Sequence, residues 1–247
     1  MLVNSTLLSI FIQVITGGID VWGLTIDLPE SYKIYNQLLR IELFVQIVEL
    51  CFYIWLIYAM KNISNITIYR YVDWFITTPT MLFTLMVFLY HRSGMKLTVL
   101  SFLKEHAKDI AIVVGLNVLM LGFGLLTEIN VLSVNVGVSL GFIPFALYFG
   151  YIYWTYIKDK EEDKDSLLPI PRKQFFYYYL VFWSLYGVMA YLPYVKKNTG
   201  YNILDLFAKN GFGIIIVYLI WKINKTCKEK KRDECAPLTP GSSVRQR

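Results

Sequence analysis

Residues 111–157 carry a single charged side chain, Glu128. A helix needs about 20 mostly apolar residues to cross a bilayer, so this stretch holds two crossings with a turn at residues 127–133. Few soluble folds tolerate such a run, and the rest of the chain agrees. Charged residues make up 17% of the sequence, against about 25% in an average soluble domain. Disorder is excluded, because charge is low and 56% of residues are hydrophobic. A disulfide scaffold is excluded too, since the chain has 3 cysteines. Cys51 lies in an apolar run, and Cys227 and Cys235 in a basic tail.

Five further apolar stretches, at about 4–25, 35–60, 67–91, 174–194 and 202–223, bring the expected spans to seven. Segment 93–110 is too short and too charged for another. The first span lacks a basic n-region and a small-residue cleavage site, so it reads as a retained span and not a leader. Placing the N-terminus outside puts eighteen Lys and Arg in cytoplasmic segments and three (Lys61, Lys196, Lys197) outside, with Arg40, Arg70 and Lys209 within spans. That asymmetry is the positive-inside pattern. The sequons at Asn4, Asn62 and Asn65 would then lie outside, although the one at Asn224 would not. The expected organisation is one all-α membrane domain over residues 1–224 and a basic, disordered cytoplasmic tail over 225–247. The loop 158–172 reads as a solvated connector. Nothing points to a nucleic-acid partner; the partners expected on these grounds are lipid and whatever the spans enclose.

Ionisable groups within a bilayer are functional hypotheses by default. Here they are Arg40, Glu42, Glu49, Arg70, Asp73, Asp205 and Lys209. Arg40 lies near a span end, where a long side chain can snorkel. Lys209 is mid-span. A desolvated amine is a good nucleophile toward a carbonyl and can form a Schiff base. Asp205, four residues earlier, shares its helical face. From this helix alone a buried Asp–Lys ion pair is an equal reading. Span three adds Arg70, Asp73 and Thr77 at helical spacing: a second carboxylate, a hydroxyl to hold it and an Arg to offset surplus negative charge.

The run Arg70-Tyr-Val-Asp73-Trp74-Phe-Ile-Thr77-Thr78-Pro79, with Asp205-x-x-x-Lys209 before a glycine-containing apolar run, resembles the signature of microbial (type 1) rhodopsins. The resemblance covers residues 1 to about 224. It implies a seven-transmembrane-helix bundle with all-trans retinal on Lys209 as a protonated Schiff base. Asp73 and Asp205 would be the counter-ions, with Arg70 and Thr77 beside them. Trp74, Thr78, Met81, Met120, Gly124, Trp183 and Tyr186 would line the cofactor. Two departures change the expected pocket shape: Gly187 stands where the family usually has Pro, and Ala190 where it usually has Trp.

The family contains pumps, channels and sensors, so fold alone does not decide. Thr84 stands where an outward proton pump carries its cytoplasmic carboxylate, eleven residues after Asp73. Span two carries Glu42, Gln46 and Glu49 on one face, extended by Tyr53. Span one adds Ser9 and Gln13, and the last span Asn202 and Asn210. Such a stripe is either interhelical hydrogen-bond glue or the lining of an aqueous path, and acidic linings favour cations. Ser9-x-x-x-Gln13 with Glu42-x-x-x-Gln46-x-x-Glu49 resembles the channel-type viral rhodopsins of large algal viruses. That narrower resemblance implies a light-gated channel for monovalent cations, with Ca²⁺ as an inhibitor, and is compatible with a homo-oligomer. A slow proton pump using Asp73, a photosensor signalling through the 158–172 loop or the tail, and a retinal-free transporter are the alternatives.

Overall fold

The computed structural model describes residues 1–158, 160 and 167–235. Within them the chain is helical: α1 (Leu2–Leu24), α2 (Ile34–Ala59), α3 (Thr67–Tyr90), a short α4 (Val99–Glu105), α5 (Ala107–Glu128), α6 (Val134–Tyr156), α7 (Arg172–Met189), α8 (Tyr194–Asp205) and α9 (Gly211–Cys235). A π-helical turn, Leu206–Asn210, joins α8 to α9 into one rod. The result is a seven-rod bundle, with the short α4 between α3 and α5 in the chain and in contact with α2 and α5.

Six of these rods are long and apolar enough to cross a membrane. The seventh, α7, has 18 residues and falls short of that apolarity, because it opens on Arg172-Lys173-Gln174 and runs through Tyr177-Tyr178-Tyr179. Tyrosine carries an apolar ring with a polar tip, so such a helix packs well while scoring as less apolar. It ends at Met189, short of the 194 expected from the sequence. At the chain's far end α9 continues past residue 224 to Cys235, into the segment read from the sequence as a basic tail. Its Lys and Glu residues favour helix, and Lys225 and Glu229 pair at i, i+4. The rest of the tail, 236–247, and residues 159 and 161–166 of the loop read as a solvated connector lie outside the described residues.

The turn between α5 and α6 falls where the charge pattern puts it. Ser133 caps α6 by accepting the Val136 N–H at 3.4 Å. Asn130 takes a left-handed φ of 62°, which Asn tolerates better than most residues. At the end of the bundle remote from the N-terminus, His91 closes α3. Its Nε2 lies 2.7 Å from the Ser31 carbonyl, and its Nδ1 is 3.1 Å from the Tyr35 hydroxyl. A carbonyl only accepts, so Nε2 carries the hydrogen. This ties the α1–α2 connection to α3.

α3 is central and touches α2, α5, α6 and α7, while α1 packs on α2, α8 and α9. α1 is built the reverse of a soluble amphipathic helix. Its buried residues are Thr6, Ser9, Gln13, Thr16, Asp20 and Gly23, and its outward face is Val3, Leu7, Leu8, Phe11, Val14 and Ile15. Apolar side chains meet the lipid, and a polar stripe meets the bundle. On the other side of α3 the interior is aromatic. Phe145, Tyr148, Phe149, Phe176, Tyr179 and Trp183 pack against one another between α6 and α7.

Candidate functional site

Lys209 sits in the π-helical turn, buried near the middle of the bundle. Such turns are rare and concentrate at functional sites. Its amine contacts Asp73 Oδ2 directly and lies 3.8 Å from Asp205 Oδ1. Asp205 is held from three sides: Tyr53 donates to Oδ2 at 2.7 Å, Tyr186 donates to Oδ1 at 2.6 Å, and Arg70 Nη1 lies 3.6 Å away. All of these groups are buried or nearly so, and the two cations offset the two anions. Buried charges persist only with such partners. Asp73 Oδ1 is without a partner.

Arg70 is anchored away from Lys209. Its Nε donates to Asn198 Oδ1 at 2.9 Å, its Nη2 to Asn202 Oδ1, and its Nη1 to the Tyr53 hydroxyl at 3.5 Å. Asn198 in turn donates to Thr67 at 2.9 Å, and Asn202 to Ser5 at 2.9 Å and Thr6 at 3.0 Å. The Ser9 hydroxyl donates to the Asn202 carbonyl at 3.4 Å. A continuous hydrogen-bonded net therefore joins α1, α2, α3, α7 and α8 near the N-terminal end.

One expected contact is different. Thr77 does not hold the Asp73 carboxylate: its hydroxyl donates to the Asp73 backbone carbonyl at 3.0 Å. Helical Thr hydroxyls find the carbonyl four residues back without any change of backbone, and that local bond wins here.

Beside Lys209 opens a cavity of about 130 Å³. It is lined by all eight residues assigned to the cofactor from the sequence: Lys209, Trp74, Thr78, Met81, Met120, Gly124, Trp183 and Tyr186. Thr78 is fixed by bonds to the Trp74 carbonyl (2.8 Å) and Asn117 Oδ1 (2.9 Å). The structure adds Tyr71, Phe142, Phe145, Tyr148, Gly187, Ala190 and Tyr201 to the wall, among others. Gly187 has a steric reason. A Cβ there would come within 2.6 Å of the Phe142 ring, so the glycine lets Phe142 into the wall.

The polar stripe is also assembled. Ser9, Gln13, Glu42, Gln46, Glu49, Asn202 and Asn210 are all buried, on α1, α2, α8 and the π-helical turn. Thr16 accepts from Asn210 at 3.2 Å and from Gln46 at 3.5 Å. Glu42 accepts the Thr84 hydroxyl at 2.5 Å. Both carboxylate oxygens of Glu49 lack partners, as do both side-chain polar atoms of Gln13. Arg40 is exposed on α2, apart from this set. Thr6, Thr16 and Asp20 on α1 and Asn198 on α8 are further members. Thr6 and Thr16 were legible as a continuation of Ser9 and Gln13 at alternating three- and four-residue spacing.

A family model described as bacteriorhodopsin-like protein matches residues 1–223. Among solved structures, the chain is similar to viral rhodopsin OLPVRII, at 29% identity and a TM-score of 0.74, over 90% of this chain and 98% of that one. It shares its fold with the blue light-absorbing proteorhodopsin from Med12 (18% identity, TM-score 0.67, over 93% of this chain and 98% of that one). It also shares it with a thermophilic rhodopsin from Rubrobacter xylanophilus (16%, 0.69, over 91% and 100%). No curated protein matches the chain.

Proposed function

We propose, from the premise that this chain belongs to the bacteriorhodopsin-like family, that it is a light-gated cation channel with retinal held covalently on Lys209. The cavity supports the cofactor: a primary amine with a carboxylate against it opens on an apolar, aromatic-walled space that suits a polyene aldehyde. When bound, retinal supplies light absorption and an isomerisation that shifts charge at the Lys209 nitrogen. The other parts belong to the chain. Asp73 holds that positive charge and is placed to take its proton. Once neutral, Asp73 no longer helps to balance Arg70 and Lys209, and the Asp205 contacts with Arg70, Tyr53 and Tyr186 carry the imbalance. Arg70 reaches Asn198 and Asn202, and through them Ser5 and Thr6, so a shift at Asp73 is passed to the packing of α1 against α8.

The observation that carries the channel reading is the polar buried face of α1, Thr6 to Asp20, with the buried Glu42, Gln46 and Glu49 of α2. Lipid-embedded polar groups of that number line a hydrated route more readily than a dry interface. We read the N-terminal end as extracellular from the distribution of Lys and Arg, and the permeant ions as Na⁺ and K⁺, with Ca²⁺ inhibitory. Whole-cell recording tests this. Photocurrent should reverse with the cation gradient and change in both Glu49→Gln and Asp73→Asn; unchanged current in both variants overturns it. A visible absorption band lost in Lys209→Ala checks the attachment separately.

One observation favours a second reading, outward proton transport. The hydrogen bond from Thr84 to Glu42 brings a carboxylate to the position where a pump would need a donor. Unidirectional photocurrent at every voltage would favour that reading.

A further inference from the structure

The polar face of α1 ends on a carboxylate that the reading above leaves unused. Asp20 is fully buried, and neither of its oxygens has a hydrogen-bond partner. α9 passes it at backbone distance: a Cβ on Gly213 would lie 2.6 Å from Asp20 Oδ2, so only glycine leaves the carboxylate its place. Glu42, also buried, comes one turn before Gln46 on α2, as Asp20 comes one turn after Gly17 on the antiparallel α1, and one of its oxygens holds the Thr84 hydroxyl. One turn further along α2, the buried Gln46 points Oε1 at the backbone of Gly17, where a Cβ would come within 3.3 Å of it. That oxygen has no partner either. Among the described residues, no Lys, Arg or His forms an ion pair with Asp20 or Glu42; Arg70 pairs with Asp205 and Lys209 with Asp73.

Two buried carboxylates without a basic partner are costly as bare anions. The free donor atoms here are oxygens: both of Asp20 and Oε1 of Gln46, beside the Glu42 carboxylate and the Thr84 hydroxyl it holds. Hard cations take that donor set in preference to nitrogen or sulfur. We propose that Asp20, with Glu42, binds a small monovalent cation, Na⁺ or K⁺, in the half of the bundle remote from the N-terminus. The charge argues against a divalent ion. No third acidic, His or Cys side chain is grouped with the two carboxylates among the described residues, and calcium sites draw on about six to eight oxygens, several of them anionic. The proposal rests on the channel reading only for the route by which the ion arrives, since binding itself needs no conduction.

The test uses the full chain with retinal, kept in the dark. Thermal loss of the visible band is followed at constant ionic strength in NaCl and in N-methyl-D-glucamine chloride, whose cation is too bulky for the site. A bound ion stabilises the folded state by mass action. The midpoint should therefore rise with Na⁺ in the wild type, and Asp20→Asn should abolish the rise. Equal midpoints for the wild type in the two salts overturn the site, as they would if both acids stayed protonated. A Na⁺ response that survives in Asp20→Asn also overturns it. Should that variant give no pigment, Glu42→Gln is read the same way. Photocurrent is scored apart. A Na⁺ response without current keeps the site and rejects the channel, whereas current without a Na⁺ response keeps the channel and rejects the site.

Discussion

The two halves of the polar interior are held in opposite ways. Toward the N-terminus, Arg70, Asp205, Tyr53, Asn198, Asn202 and Thr67 complete one another's hydrogen bonds, and Ser5 and Thr6 extend the net to α1. From Gln13 and Glu49 to Asp20 on the other side, buried amide and carboxylate atoms go without partners. A satisfied buried network is stiff and fails hard when one member is removed. A stretch whose polar atoms have no protein partner has few protein hydrogen bonds to lose when one member is replaced. On the proposed channel reading, the first half is the lock and the second the passage.

That contrast can be broken by substitution. The largest effect should come from Arg70→Gln, which leaves Asp205 short of its cation in the satisfied half. Removing one partner of a buried ion pair costs about 3–5 kcal/mol, read as a sharp fall in thermal midpoint in detergent. Asn198→Leu should cost less, about 1–3 kcal/mol, because it leaves Arg70 Nε and Thr67 without their partner while the charges remain balanced. In the other half, Glu42→Gln keeps an acceptor for Thr84 and removes an uncompensated carboxylate. In Na⁺-free buffer its midpoint should equal or exceed that of the wild type. A Glu42→Gln loss as large as that of Arg70→Gln would erase the distinction between the halves.

The smallest effect concerns pH at the remote end. Burial holds His91 below the usual imidazole range. A base whose folded pKa is depressed gives its full stability above the unfolded value, about 6.5, and loses it as pH falls below that toward the folded value. The wild-type midpoint should dip between about pH 7.5 and 5.5, and less so in His91→Asn. Equal dips would remove His91 as the cause.

The seven-rod architecture, the turn between α5 and α6, and the meeting of Lys209 with Asp73 and Asp205 were legible in the sequence. They rest on run length, on charge and on a motif whose members share helical faces. The eight pocket residues were legible for a different reason: the resemblance supplied them, while Phe142, whose place depends on the absence of a side chain at Gly187, had no local signal. Asp20 was hidden by its position. Near the end of a span a carboxylate reads as reaching for headgroups, and only the neighbouring helices show that it points inward. Thr77 shows the limit from the other side. Spacing puts a hydroxyl on the right face, but it does not choose between a side-chain acceptor and the helix's own carbonyl.

The π-helical turn at Leu206–Asn210 has a consequence for every residue after it. An α-helix advances about 100° per residue, and a turn closed by five residues instead of four puts the following side chains out of phase by about that angle. A helical wheel drawn straight through the last rod therefore assigns the wrong neighbours beyond Asn210, and must be restarted at Gly211. Were the turn to tighten to ordinary α-helical pitch, α9 would swivel about its own axis against α8. Gly213 would then carry its notch away from Asp20 without any bend in the rod.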